Sequence, residues 1–178
     1  MLRADCYFDK KLYTEAILDY DAAFSNPELL ATLKMIYNYC LALYGSGDYT
    51  KAINQLQTIL DSTDSFTEAN LLMGELMMLT GNFEKAIIYF SKVVEVNSNE
   101  YGPYFMRAQC YYKINKFIEA IIDYQKTLSL NDNDVIHLHY GICLYNSGRK
   151  QAGIYEIEIA KKSGNIEAEK YLEMLKMM

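Results

Sequence analysis

The sequence predicts an all-α solenoid, in which antiparallel helix hairpins stack one on the next and a terminal helix closes the array. Three observations predict it. Small residues Ala52, Ala86 and Ala120 recur at a spacing of 34. Each is followed four positions later by a large apolar or aromatic residue: Leu56, Phe90 and Tyr124. Each is preceded by Gly-Asn-Phe or a near variant: Gly47-Asp48-Tyr49, Gly81-Asn82-Phe83 and Asn115-Lys116-Phe117. A helical signal that repeats with this period marks supersecondary units that cannot bury both faces alone and therefore stack.

Apolar residues recur at helical spacing along nearly the whole chain. The first hairpin, within 1–32, pairs Met1–Asp9 with Tyr13–Ser25, and Asn26-Pro27 ends it because proline cannot continue the helix. The second, within 33–66 but for its start, pairs Leu29–Tyr44 with Tyr49–Leu60 across Gly45-Ser46-Gly47. The third, 67–100, pairs Thr67–Leu79 with Phe83–Val96 across Thr80-Gly81. The fourth, 101–133, pairs Tyr101–Ile114 with Phe117–Leu130. The fifth, 134–165, pairs Asp134–Ser147 with Lys150–Lys162. Its turn reads as one residue shorter, with Ala152 four positions after Gly148 where Ala86 stands five after Gly81. A last helix over 166–177 places Ala168, Leu172 and Leu175 on one side, as a cap over the final hairpin would.

Within each hairpin, Ala4, Gly74 and Ala108 on the first (A) helix are expected to face Ala16, Ala86 and Ala120 on the second (B) helix, letting the backbones approach. Tyr13, Tyr49, Phe83 and Phe117 open the B helices and are expected to plug the hairpin ends. Arg3 precedes Asp19 by sixteen residues and Arg107 precedes Asp123 by sixteen. Where Tyr39 or Met73 replaces the arginine, Gln55 or Tyr89 replaces the aspartate, so a bidentate bridge across A and B helices is expected.

These units resemble the tetratricopeptide repeat, whose pattern is W-x2-L-G-x2-Y, then A-x3-F, then P. The third unit reads Asn70-x2-Met73-Gly74-x2-Met77, then Ala86-x3-Phe90. The fourth reads Tyr104-x2-Arg107-Ala108-x2-Tyr111, then Ala120-x3-Tyr124. The fifth departs furthest, with Gly141-x3-Tyr145 and Glu156 standing four after Ala152. The first enters only at the seventh repeat position, so the chain reads as an abrupt start or a piece of a longer array. The resemblance implies a right-handed superhelix whose concave groove is lined by A-helix positions two, five, nine, twelve and thirteen. Among the residues at those positions, the candidate groove takes Phe8 in the first unit; Tyr37, Leu41 and Tyr44 in the second; Leu71, Glu75 and Met78 in the third; Phe105, Gln109 and Tyr112 in the fourth; and Leu138 and Tyr145 in the fifth.

Position twelve thus runs Phe8, Tyr44, Met78, Tyr112, Tyr145, an aromatic and Met ladder that suits peptide recognition and equally suits packing between repeats. The resemblance implies a noncatalytic module binding a protein or peptide. A structural spacer, an oligomer joined through the array ends, or an accessory domain of a larger enzyme are the alternatives. Arrays that clamp acidic C-termini carry Lys and Asn at positions five and nine. Here those positions hold Tyr37 and Leu41, then Leu71 and Glu75, so that clamp is not expected.

Composition narrows the classes further. The 178 residues are 51% hydrophobic and 22% charged, which is globular. A net charge of −6 with no basic run beyond two residues argues against nucleic acid. No apolar run reaches the length of a membrane span, and the charged start lacks a secretory signal's apolar stretch, so a cytoplasmic protein without membrane insertion is expected. Cys6, Cys40, Cys110 and Cys143 form no CxxC pair and read as free, largely buried thiols. His137 and His139 stand two apart on a helix, too divergent to share a metal, with His137 expected exposed and His139 partly buried. Asp61, Asp64, Asp132 and Asp134 read as helix caps and solvated loops. No catalytic set, cofactor site or metal site is expected.

Overall fold

A computed structural model describes residues 3–26, 31–63 and 65–177. Among them are eleven helices and no strand: α1 Arg3–Asp9, α2 Tyr13–Phe24, α3 Leu33–Ser46, α4 Tyr49–Ser62, α5 Thr67–Leu79, α6 Phe83–Val96, α7 Tyr101–Lys113, α8 Phe117–Leu130, α9 Asp134–Asn146, α10 Lys150–Lys162 and α11 Ile166–Lys176. Met1, Pro27, Leu29 and Asp64, on which parts of the expected boundaries rest, lie outside the described residues. Helix α3 starts at Leu33 because Thr32 caps it, its hydroxyl accepting from the Met35 amide at 3.3 Å.

One turn is built five times. After each A helix a residue adopts a left-handed conformation: Lys11, Gly47, Gly81, Asn115 and Gly148, with φ of 59, 86, 78, 60 and 91°. The amide of that residue and the next bond back to A-helix carbonyls. In the second hairpin the Gly47 amide donates to Tyr44 O at 3.1 Å and the Asp48 amide to Leu43 O at 2.9 Å. In the fourth, Asn115 donates to Tyr112 O at 3.0 Å and Lys116 to Tyr111 O at 2.9 Å. Paired bonds of this kind satisfy the last carbonyls of a helix. The turn also brings the position-twelve side chain onto the first B-helix residue. Phe8 meets Tyr13 at 6.2 Å between ring centroids, and Tyr44 meets Tyr49 at 5.9 Å. Tyr112 meets Phe117 at 5.9 Å, and the Lys150 ammonium sits 5.6 Å from the Tyr145 ring.

This turn corrects the register of the fifth hairpin. Lys11, Gly47, Gly81 and Asn115 stand five residues before Ala16, Ala52, Ala86 and Ala120, and Gly148 stands five before Gly153. Ala152 is exposed; Gly153 is the buried small residue and Ile157 its large partner four on. The turn is not short. The missing residue lies earlier, since Gly141 follows Ala108 by 33 rather than 34. A Cβ on Gly153 would lie 2.6 Å from Gly141 O and 2.6 Å from the Tyr145 amide nitrogen, so α9 and α10 touch backbone to backbone.

The framework forms two compact units, 1–76 and 77–178. In the first, Tyr20, Tyr39, Leu43, Leu56 and Ile59 are fully buried, and the Tyr20 and Tyr39 rings lie 5.6 Å apart. The Asp21 carboxylate ties α2 to α3 and α4, accepting from the Tyr39 hydroxyl and from Lys51 Nζ at 2.9 Å. The expected Arg3–Asp19 bridge is bidentate, with both bonds 2.6 Å long.

In the second unit Ala108, Ala120, Ile121, Tyr124, Tyr140, Cys143 and Leu144 form one cluster. Arg107 makes the second bidentate bridge to Asp123, at 2.7 and 2.8 Å, and adds a bond to Ser91 Oγ on α6 at 3.0 Å. Helix α11 buries Ala168 against Leu138, Ile157 and Ala160, as expected of a cap. With Thr32, the side-chain helix caps among the described residues are Asp48, Asn133 and Asn165 rather than Asp132 or Asp134. Asp132 pairs instead with His137, and Asp134 accepts from Asn165 Nδ2 at 2.8 Å.

Candidate functional site

In 1–76, Tyr37, Leu41 and Tyr44 follow one another at i, i+4 and i+7 along α3, while Leu71 and Glu75 are one turn apart on α5. All five are half-buried. Tyr37 packs on Phe66 at 5.2 Å, and burial first, then the Glu68 and Glu75 carboxylates, push its phenol up to about 12. Tyr44 is raised for the same reasons, by burial and then by Glu75. Burial raises Glu75 itself. Phe8, also half-buried, borders a recess of ≈ 470 Å³ with Asp5, Asp9, Thr32, Lys34 and Asn38.

In 77–178, Met78, Phe105, Gln109, Tyr112 and Tyr145 are half-buried. Phe105 is held edge-on by Tyr124 at 5.9 Å and by His139 at 5.3 Å. The Tyr112 hydroxyl accepts from Asn146 Nδ2 at 2.7 Å. Leu138 departs from the expectation: it is 4% exposed and lies in the core that α11 covers. Tyr171 of α11 stands close enough to Tyr112 and Tyr145 that both raise its phenol, after burial.

His137 is not exposed as expected. Its side chain is 14% exposed and held between Glu156 Oε2 at 2.6 Å and Asp132 Oδ1 at 2.8 Å. His139 is pulled down by burial, which outweighs the raising effect of Glu167. Cys40, Cys110 and Cys143 are buried free thiols, and Cys6 is an exposed one. Burial pushes the Cys40 and Cys110 thiols up to about 12, far from the thiolate form a nucleophile needs. Among the described residues no group of three His, Cys, Asp or Glu side chains could hold a metal, and no helix is long and apolar enough to cross a membrane.

A family profile described as "Tetratricopeptide repeat" matches residues 43–104, and another of the same description matches 102–134. The chain belongs to the tetratricopeptide-repeat family. Its fold is that of solved tetratricopeptide solenoids. A crystal structure of MamA aligns with a TM-score of 0.83 at 17% identity, covering 95% of this chain and 98% of that one. MamA 41-end from Desulfovibrio magneticus RS-1 aligns at 0.82 with 15% identity, covering 89% of each. In sequence, a NADPH oxidase activator of Dictyostelium discoideum is 31% identical over 93 residues, which are 52% of this chain and 15% of that protein.

Tetratricopeptide repeats build protein–protein interaction scaffolds, and this chain is a scaffold of that class. Three ring neighbours of the A-helix residues escaped the sequence reading. Phe66 precedes the first residue of α5, outside any repeat position that carries a signature. His139 occupies a position where the repeat pattern is silent. Tyr171 belongs to the terminal helix, which follows no repeat, so only its spacing of three from Ala168 could have marked it as core-facing.

Proposed function

We propose that this tetratricopeptide-repeat chain binds a peptide segment of a protein partner along its A-helix faces, without catalysis. The observation that carries the reading is the half-exposed aromatic ladder. Tyr44, Tyr112 and Tyr145 each lean on the first residue of their own B helix. Each ring is thereby held in place while its residue stays only half-buried. Rings held this way lose little freedom when a partner arrives, which favours them as contact anchors.

The test is binding of peptides selected from a displayed random library, measured on wild-type protein and on Tyr44→Ala and Tyr112→Ala. Each substitution is expected to cost more than about 1 kcal/mol of binding while leaving the far-ultraviolet circular dichroism helical. Unchanged affinity in a folded double variant would move the interface to the B helices or the array ends.

A second reading is that the chain serves as an activating subunit of an enzyme assembly. It draws on the similarity to the Dictyostelium oxidase activator, of whose length the chain spans 15%. Free buried thiols also support a reducing compartment such as the cytoplasm.

A further inference from the structure

Helices α9 and α11 open alike. Asn133 caps α9 by accepting from the Ile136 amide at 3.1 Å, and Asn165 caps α11 by accepting from the Ala168 amide at 3.0 Å. At that shift of 32 residues Ile136 and Ala168 correspond, and both are buried. Helices α8 and α10 align on Ala120 and Gly153, a shift of 33. Helix α11 thus stands on α10 as α9 stands on α8. In the earlier pair the face the two helices share is closed: Ile121 of α8 is buried with Tyr140, Cys143 and Leu144 of α9. Helix α10 completes the closure. Its Gly153 lies against Gly141 backbone to backbone, and its Glu156 carboxylate is 2.6 Å from the His137 ring.

In the later pair the corresponding residues are Ile154 of α10 and Leu172, Leu175 and Lys176 of α11, with Glu173 in the place of Gly141. They line one recess of ≈ 540 Å³, in which Ile154, Leu172 and Leu175 stay half-buried. Among the described residues no helix follows α11 to cover it. Lys161 bonds Glu169 across the recess at 3.0 Å. In that antiparallel register Glu158 stands opposite the Leu172–Glu173 step, and both acids line the recess. The array itself shows that a helix fills this face one repeat earlier. The chemistry differs at one point. There a small residue, Gly153, meets Gly141; here the facing residue is Glu173, and Glu158 stands where α8 has Gln125. A helix bringing a small residue would strip water from two carboxylates and give nothing back, whereas a cation would pair with them. The B helices of a second copy, with Ala86, Ala120 and Gly153, are therefore the wrong occupants. The chain's net charge of −6 favours the approach of a cationic segment.

We propose that the recess between α10 and α11 receives an amphipathic helix of a partner protein, its apolar stripe on Ile154, Leu172 and Leu175 and a lysine or arginine midway against Glu158 and Glu173. The partner helix takes the part that α10 plays for α9. From Glu169 to Lys176 the recess runs about 10 Å along α11, so roughly two turns of the partner are held. This surface is separate from the A-helix faces and does not depend on the peptide-binding reading above.

The experiment selects displayed helix-forming peptides on the 178-residue protein after depletion on a Glu158→Lys, Glu173→Lys variant, both side chains being exposed. The retained ligands are expected to carry Lys or Arg at one fixed place beside an apolar stripe. A synthetic ligand is expected to lose about tenfold or more in affinity for wild type when that cation is exchanged for Glu, and the exchanged ligand to bind the charge-reversed variant instead. A proline at its centre is expected to abolish binding, because it breaks the helix. The exchange in the peptide leaves the protein untouched, so it separates loss of contact from loss of fold. An empty selection, ligands without a fixed cation, ligands indifferent to proline, or no recovery on the variant overturns the proposal. Tyr44→Ala and Tyr112→Ala are expected to leave this binding unchanged, so the recess and the A-helix reading stand or fall separately. Loss of binding in either folded tyrosine variant would put the ligand on the A-helix face and overturn the proposal.

Discussion

Glu75 and Arg107 show how the same kind of burial leads to opposite outcomes at the level of single residues. Arg107, with a side chain 16% exposed, is lowered by burial and raised more strongly by two hydrogen bonds and the charge of Asp123. Removing it leaves Asp123 buried without its counter-charge, so Arg107→Ala is expected to cost about 3–5 kcal/mol in a denaturant titration. The identical bridge at Arg3 has a side chain 76% exposed, and Arg3→Ala is expected to cost far less, because solvent screens the pair and hydrates what remains. Equal losses for the two would refute the argument from burial. Glu75 has no such partner, and burial raises its pKa. A carboxyl group whose folded-state pKa lies above its unfolded value stabilises the fold below the unfolded pKa, and that contribution is lost as pH rises through the folded one. Glu75→Gln is therefore expected to melt slightly above wild type at pH 7, by less than about 1 kcal/mol or roughly 1–3 °C. The gap is expected to close below the ordinary glutamate range, where both side chains are neutral. A Glu75→Gln variant less stable than wild type at pH 7 would mean the carboxylate is already satisfied in the free protein.

At the level of the helices, the hairpin turn carries more of the register than the small-residue spacing did. The period of 34 located Ala52, Ala86 and Ala120 correctly because no residue is lost between those units. It failed at Ala152 because one residue is missing between α8 and α9, and an alanine beside a glycine looks like the expected small residue. The left-handed position five residues upstream was the better ruler; Gly47, Gly81, Asn115 and Gly148 mark it, and only Lys11, a residue that rarely turns left-handed, hides it in the first unit. The Arg–Asp bridges were legible because both partners change together between units. The packing of Tyr37 on Phe66 and of Phe105 on His139 was not, since ring contacts between successive A helices leave no periodic trace. The corrected register has a direct consequence. Gly153→Ala places a methyl 2.6 Å from backbone atoms of α9 that cannot yield, and is expected to cost about 1–3 kcal/mol or more. Ala152→Leu, on the exposed side, is expected to stay within about 0.5 kcal/mol. The reverse order of these two in thermal melts would restore the shorter turn.

For the molecule as a whole, a repeat array draws its stability from each unit and from the surface shared with its neighbours, so an end needs a cover. Helix α11 is that cover for the last hairpin. It is short, with charged residues along its outer side, and it buries Ala168 over Leu138, Ile157 and Ala160. Leu138 belongs to the same A-helix series as Tyr37 and Phe105, yet it is lost to any partner because α11 occupies the place a next repeat would take. The helix therefore has two effects, closing the core of the last hairpin and withdrawing Leu138 from any partner. Truncation before Ile166 is expected to expose Leu138 and Ile157 together. At about 1.5–3 kcal/mol for each side chain returned to water, the loss is roughly 3–6 kcal/mol. For a chain of this size that corresponds to a fall in Tm on the order of 10 °C. The exposed end is an apolar surface shaped to receive another helix pair, so the truncated chain is also expected to self-associate with rising concentration, read by light scattering. Leu138→Glu in the truncated chain should return it to a monomer while leaving its melting temperature low. A truncated chain that melts like the full one and stays monomeric would show that α11 covers nothing the array requires.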